Sequence, residues 1–306
     1  MQEVKGKDTS KITAIVVSYN PDLSVFPEVL SRILTQVDNL VLVDNGSSNC
    51  QELKKLLNSY GHNIDVLFLE ENLGLASAQN IAIKRVLNKT DYIILFDQDS
   101  LIEECLIRNL TAAHYAINDS GKKVAAVGPT FYDPSTGSFY PATLYFGPFI
   151  KRVKLEDKPV EATFIIASGC LINVEALNSI GLMNEDYFID YIDVEWCLRA
   201  RSHGYGVYMI PTAKMQHTIG DARISIMGRT LSVHSPLRRY YLIRNSFLIV
   251  RLRYIPIGYK IREVSFNFLR AVIAIATNKD KRSTLRYIYR GVFDGLRGKT
   301  GRFADS

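Results

Sequence analysis

The sequence predicts an α/β fold, a mostly parallel sheet flanked by helices, with a basic helical segment after it. Three observations carry that expectation. Four short runs in the first hundred residues, 12–17, 39–43, 64–69 and 92–96, are almost continuously apolar, as strands covered on both faces are. Segments of helical period separate them, so strand and helix alternate. The first, second and fourth runs each break into polar residues at their C-terminal ends, where open α/β sheets bind their ligands.

The elements follow in order. Ile12 to Val17 is a β-branched strand stopped by the turn Ser18-Tyr19-Asn20-Pro21. Phe26 to Thr35 has helical spacing. Asn39 to Val43 is the second strand and ends in the turn-rich cluster Asp44-Asn45-Gly46-Ser47-Ser48. A helix over 51–60 leads to a third strand, Ile64 to Leu69. Asn72 to Asn80 begins as a loop and becomes a helix running to about Leu87. Tyr92 to Phe96 is the fourth strand. A helix over 102–117 and a strand over 124–127 come next, then a Gly-, Pro- and Tyr-rich hairpin or flap over 129–149. Thr163 to Ile172 reads as a strand broken at Ser168-Gly169, and Val174 to Ile180 as a short helix. Residues 207–210 and 214–217 are extended. After Arg238 the pattern changes to aromatic, apolar and Arg-rich helices at 237–252, 261–277 and 284–296. The organisation expected is a sheet domain over 1–230 and a basic amphipathic helical region over 231–306.

Composition narrows the class. An apolar fraction of 47% in 306 residues supports a sizeable core and excludes a disordered chain. The four cysteines lie far apart with no Cys-x-x-Cys, which argues against a zinc site or a disulfide framework. The polar N-terminus has no secretory signal pattern, and no stretch approaches the roughly 20 apolar residues of a spanning helix. The net charge of +6 is uneven: 18 lysines and arginines face 5 acids from Asp221 onward, against 19 and 26 before it. A basic tail on an acidic body suggests an anionic partner for the tail.

The most informative stretch is Tyr92 to Ser100, an apolar strand running into Asp97-Gln98-Asp99. Side chains at i and i+2 of a strand leave on one face, so both carboxylates can reach one ion. Mg²⁺ in particular takes one or two carboxylates plus phosphate oxygens, which points to a phosphorylated substrate. A solvated turn closing the strand has the same composition.

The motifs resemble, in kind and order, those of glycosyltransferase family 2. They are Val16-Val-Ser-Tyr-Asn20, Val43-Asp-Asn-Gly-Ser47, Asn72-Leu-Gly-Leu-Ala76 with Asn80, Phe96-Asp-Gln-Asp-Ser100, Ser168-Gly-Cys170 and Phe188 to Arg199. They cover roughly residues 12 to 220. Within the family the chain is most similar to bacterial rhamnosyltransferases that use dTDP-L-rhamnose, through residues 190–197 and through Arg239-Tyr-Tyr-Leu-Ile-Arg-Asn245. Ser48-Asn49 departs from the Thr-Asp that relatives often carry there.

The resemblance implies a GT-A fold and an inverting, metal-dependent transfer of a sugar from a nucleotide donor. It implies Mg²⁺ or Mn²⁺ at Asp99, with His217 as a further contact to metal or diphosphate. It places Asp97 near the ribose and Asp44 on the base or ribose, in a pocket lined by Ser18, Tyr19, Asn20, Asn72, Gly74, Asn80 and Gln98. Asp193 takes the position of the base that deprotonates the acceptor hydroxyl. Ser168, Gly169, Glu195 and Trp196 are expected near the acceptor or the donor sugar. Each has a plainer reading: Asp44 as a turn residue, His217 as an ordinary histidine, Gly169 as a bulge, and Asp193 and Glu195 as members of an ion-pair ladder with Arg199 and Arg201.

The expected function is rhamnosyl transfer to a saccharide acceptor, lipid-linked, in cell-surface polysaccharide or O-antigen synthesis. The tail can lie on an anionic membrane surface, which implies a cytoplasmic protein held peripherally at the membrane. An appendage packed on the body or a homo-oligomer interface uses the same residues. No nucleic-acid motif is present. A UDP- or GDP-linked donor is the nearest alternative. A sugar-nucleotide pyrophosphorylase lacks support, because no Gly-rich signature with a downstream lysine follows the first strand. A non-catalytic glycan-binding protein would fit the loss of Asp97, Asp99 or Asp193, and all three are present.

Overall fold

The computed structural model describes residues 10–132, 137–216, 222–226, 229–233, 235–278 and 280–304. The four apolar runs form β1 (Ile12–Ser18), β2 (Asn39–Asp44), β3 (Ile64–Phe68) and β4 (Tyr92–Asp97), all parallel, in the spatial order β3-β2-β1-β4. Between them lie α1 (Phe26–Leu34), α2 (Cys50–Leu57) and α3 (Leu75–Val86). In α1, Phe26, Val29, Leu30 and Ile33 form one buried stripe, each worth about 1.5–3 kcal/mol on burial. Pro27 in the first turn lacks only an N–H that would have no helical partner.

Beyond β4 the sheet becomes mixed. The elements are β5 (Leu101–Ile102), α4 (Leu106–Asp119), β6 (Val124–Tyr132), the hairpin β7 (Ala142–Phe146) and β8 (Phe149–Val153), β9 (Val160–Ala162), β10 (Cys170–Asn173), α5 (Val174–Ile180), α6 (Ile192–Ser202) and β11 (Gly206–Gln216). β10 runs antiparallel between β4 and β6, while β11 runs parallel to β6 and pairs antiparallel with β5 and β9. The sequence reading is corrected at several ends. The expected helix over 102–117 begins at Leu106, because Leu101 and Ile102 pair with Met215 and Gln216 as an edge strand. The expected strand over 163–172 is confined to Cys170–Asn173. A fully buried run reads the same in either chain direction, so nothing in its periodicity marks β10 as antiparallel.

The chain closes with the hairpin β12 (Ala222–Ile226) and β13 (Arg229–Val233), then α7 (Pro236–Ile249), α8 (Ile257–Thr277) and α9 (Lys281–Arg297). Ser235 caps α7 by accepting the Arg238 N–H at 3.3 Å, and Asp280 caps α9 by accepting the Ser283 N–H at 3.0 Å. These helices pack on the sheet domain. Tyr241 stacks on Phe188 and Tyr259 lies against Tyr145, both with ring centroids 5.1 Å apart. Among the described residues the buried Arg244 guanidinium has only neutral partners. It donates to Asn245 Oδ1 and to the Gly301 carbonyl, and lies 5.0 Å from the centre of the Tyr241 ring.

Candidate active site

Strand register assembles the first wall. Ser18 lies beside Asp44 across β1 and β2, and Val17 beside Asp97 across β1 and β4, so three strand ends share one rim. Asp44 is fully buried, and its carboxylate accepts from the Ser18 hydroxyl at 3.3 Å, the Ser47 N–H at 3.1 Å and the Ser47 hydroxyl. It thereby ties β1 to the loop after β2. Asn20 extends this network: its N–H donates to the Ser47 hydroxyl, and its Oδ1 accepts from both Ser48 N–H and Ser48 hydroxyl. Tyr19 is exposed, with its N–H on Gln98 Oε1 at 2.7 Å, which joins the first rim turn to the Asp97 turn.

Asn72, Gly74 and Asn80 build the next loop and helix. Asn72 Oδ1 accepts from Asn45 and from the Gly74 N–H. Gly74 has φ +91°, and an added Cβ would meet the Phe188 carbonyl at 2.7 Å, so its backbone admits no side chain. Asn80 is buried, donates to the Met183 carbonyl and to Glu185, and accepts the Met183 N–H. Its polar atoms serve the loop over 183–185.

Asp97 and Asp99 meet by a different route from the strand-face argument. β4 ends at Asp97, and Gln98 and Asp99 form a turn closed by the Ser100 N–H on the Asp97 carbonyl at 3.2 Å. Asp97 is half-buried and Asp99 exposed. Burial first, then the charges of Asp99 and Asp193, push the Asp97 carboxyl up to about 7, and Arg238 partly offsets this. Ser168 lies under the turn, with its hydroxyl on the Ser100 hydroxyl and accepting the Asp97 N–H at 3.4 Å. Gly169 sits at φ +75° in the turn that leads into β10, where a Cβ would meet the Pro129 ring at 2.7 Å, so this turn and close approach require glycine.

Asp193 lies in the first turn of α6, close enough to Asp97 for the two charges to interact. Burial, then the charge of Asp190, raise its carboxyl to about 6, against the N–H of Val194 donating at 2.8 Å. Just before it, Asp190 and Tyr191 both hold left-handed backbone, φ +63° and +66°. Two such residues store roughly 1–3 kcal/mol each and persist only when surroundings hold them. Here the Asn245 side chain donates to the carbonyls of Ile189 and Asp190, and Arg238 pairs with Asp190 at 3.0 Å. The 239–245 segment shows no chemistry of its own in the sequence. That a helix fifty residues on clamps this turn is a tertiary fact.

Glu195 and Trp196, expected near the acceptor or donor sugar, are packed into the core. Glu195 is fully buried in a bidentate pair with Arg199, at 2.9 and 3.1 Å, and accepts from the Tyr254 hydroxyl. Trp196 is buried and donates to the Gly181 carbonyl at 2.9 Å. On a helix whose Asp193 end borders the cleft, positions two and three further on turn into the core. His217 lies outside the described residues.

Asp97 and Asp99 suit a divalent cation. Two carboxylates repel in a partly dry cleft, and a hard cation relieves that repulsion. Among the described residues no three His, Cys, Asp or Glu side chains converge as a ready-made cage, so the ion would complete its shell from substrate or water.

A profile of glycosyl transferase family 2 matches residues 13–181. Over 301 residues, 95% of this chain and 97% of the relative, the sequence is 36% identical to a dTDP-rhamnosyl transferase, RfbF, of Shigella flexneri. Among solved structures, GalNAc-T7 with UDP, GalNAc and Mn²⁺ superposes with a TM-score of 0.58 at 14% identity. The match covers 96% of this chain and 59% of that one. A mannosyltransferase of Pyrobaculum calidifontis with GDP-Man and Mn²⁺ gives 0.56 at 14% identity, over 94% of this chain and 87% of that one. These two structures show the fold alone.

Proposed function

The chain belongs to glycosyltransferase family 2, and we propose that it transfers L-rhamnose from dTDP-L-rhamnose to a saccharide hydroxyl by one displacement with inversion. The observation that carries this reading is the 36% identity to a dTDP-rhamnosyl transferase along nearly the whole chain, and it is supported by Asp97 at the end of β4 and Asp193 at the start of α6, which lie within electrostatic reach of each other. Asp193, at about 6, is ionised near neutral pH yet basic enough to accept a proton, which suits a general base. It takes the proton of the acceptor hydroxyl as that oxygen attacks the anomeric carbon, and no covalent enzyme intermediate is required. The Asp44 network and the Tyr19–Gln98 bond shape a rim for the nucleotide. Ser168 and Ser100 hold the Asp97 turn in place.

Asp97 and Asp99 would hold a divalent cation, Mg²⁺ or Mn²⁺, which when bound neutralises charge developing on the departing diphosphate. Arg238, near enough to influence Asp97 while paired with Asp190, adds a positive charge to the cleft.

The acceptor we propose is lipid-linked, with the protein lying peripherally on the cytoplasmic membrane face during assembly of a cell-surface polysaccharide. No described helix is long and apolar enough to cross a membrane. The support is α8: Ile257, Ile261, Val264, Phe268 and Val272 are exposed at helical spacing and form one apolar stripe. The turn of the β7–β8 hairpin, with exposed Phe146 and Phe149, packs at Gly147 against Gly258 at the start of α8. Arg251, Arg253, Lys281 and Arg282 are exposed on the neighbouring elements, a charge distribution suited to anionic lipid.

The reading is tested by offering the purified chain a panel of dTDP-, UDP- and GDP-sugars with Mg²⁺ or Mn²⁺. Thermal stabilisation and slow hydrolysis are expected for dTDP-L-rhamnose above the others. Preference for a UDP- or GDP-sugar rejects the donor assignment, and no response to any donor rejects the transferase reading.

A further inference from the structure

We propose that the cavity beside Asp193 is an acceptor subsite for a negatively charged group, a phosphoryl or carboxylate oxyanion, held by Arg239 with Arg270 flanking it. The inference rests on the transferase reading above and adds what the acceptor must carry.

The cavity encloses about 370 Å³. The start of α6 forms one wall, with Asp190, Tyr191 and Asp193, and α7 and α8 form the other, with Arg239, Glu263 and Arg270. Its charges are paired except for two. Asp190 is held by Arg238 at 3.0 Å. Glu263 accepts from the Tyr191 hydroxyl and lies 3.5 Å from Arg270 Nη1. That leaves Asp193, the base, and Arg239. The Arg239 side chain is half-buried and makes no hydrogen bond or ion pair with any described residue, so its five N–H donors await an acceptor. Burial and then the charge of Arg270 push its pKa down, against a smaller opposing effect of Asp190. Two guanidiniums repelling in a partly dry cavity are stabilised by an oxyanion, whose geometry the planar fork matches.

The anion belongs to the acceptor rather than the donor for two reasons. Asp193 lines the cavity, while Asp97 and Asp99 do not. The cationic wall lies on α7 and α8, on elements separate from the strand ends that carry Ser18, Asp44 and Asp97. Helix α8 also has two faces. Tyr259, Glu263, Arg270 and Ile273 line the cavity, and the exposed apolar stripe lies on the opposite side. The cavity and the face proposed to lie on lipid are thus opposite faces of one helix, which leaves the thickness of α8 between the anion and the lipid surface.

The test uses the full chain, dTDP-L-rhamnose and three probes of equal alkyl length. These are a neutral GlcNAc glycoside, GlcNAc linked through diphosphate, and a glucuronic acid glycoside. An anionic probe should show a KM at least tenfold below the neutral one, and which anionic probe does so identifies phosphate or carboxylate as the source. Arg239→Gln should raise that KM at least tenfold, Arg239→Lys should recover part of it, and the donor Kd should not move. Because Arg239 has no side-chain partner among the described residues, Arg239→Gln should unfold at the wild-type temperature or above it. A structural arginine would give the opposite. Equal KM values for all three probes overturn the proposal, as does an Arg239→Gln defect in donor Kd or in kcat alone. If wild type turns over no probe and hydrolyses no donor, the transferase reading itself fails. Calorimetric binding of the three probes then still decides whether the cavity selects an anion.

Discussion

The Asp193 carboxylate lies close enough to Asp97 to raise its proton affinity, although one residue opens a helix and the other ends a sheet strand. In the proposed mechanism this cleft has two tasks, the Asp97 turn serving the leaving group and Asp193 the nucleophile. Both carboxyls carry a cost to the fold.

Asp97 has a folded pKa above its unfolded one, so its stabilising protonation is complete below about pH 4 and is lost as pH rises through about 7. Asp97→Asn should therefore stabilise the metal-free protein at pH 8 by roughly 1–3 kcal/mol, allowing for its partial exposure. The gain should shrink toward pH 4. Thermal unfolding across that range checks it, and a gain independent of pH would contradict the electrostatic account.

Asp193 should set an acid limb in the rate profile. Its carboxyl titrates at about 6, so kcat/KM should fall about tenfold per pH unit below that value. A profile flat from pH 5 to 8, at saturating metal, would remove Asp193 as the titrating base.

Ser47 holds both Asp44 and the Asn20 N–H. Ser47→Ala should lower stability by about 1–3 kcal/mol, through the unpaired buried groups it leaves. It should also weaken dTDP binding, because the rim turns lose their tie. Calorimetry with dTDP separates the effects: loss of stability with unchanged affinity would confine Ser47 to the fold.

The clamp on the 190–191 turn should show in catalysis more than in stability. Arg238→Gln removes the pairing with Asp190, and a small displacement of a catalytic group can lower kcat/KM about a hundredfold. The expected pattern is a large loss of kcat/KM with a small shift in melting temperature. The reverse pattern would make the pair purely structural.

For the membrane, paired Ile261→Glu and Phe268→Glu changes on the exposed α8 stripe should abolish flotation with phosphatidylglycerol vesicles. Persistent flotation of the double variant would exclude that stripe as the contact.

Much of this was legible in the sequence. The four parallel strands were, because fully covered strands must be continuously apolar, and their polar C-terminal ends marked the rim at Ser18, Asp44 and Asp97. The antiparallel β10 and the edge strand Leu101–Ile102 were not, since so few residues leave no period to read. Glu195 and Trp196 share a motif with Asp193, but helix rotation sends them inward, which one-dimensional spacing hides. Arg238, Arg239, Asn245, Glu263 and Arg270 come from helices whose composition reads only as basic and amphipathic. Their roles arise from packing against a turn far away in the chain.

The central claim, that Asp193 is the base for transfer from dTDP-L-rhamnose, is tested most directly by measuring transfer rate and donor affinity together in Asp193→Asn. The account predicts transfer lowered by about 10²–10⁴-fold with donor Kd unchanged. Near-wild-type transfer, or a donor Kd that rises while kcat is retained, would contradict it.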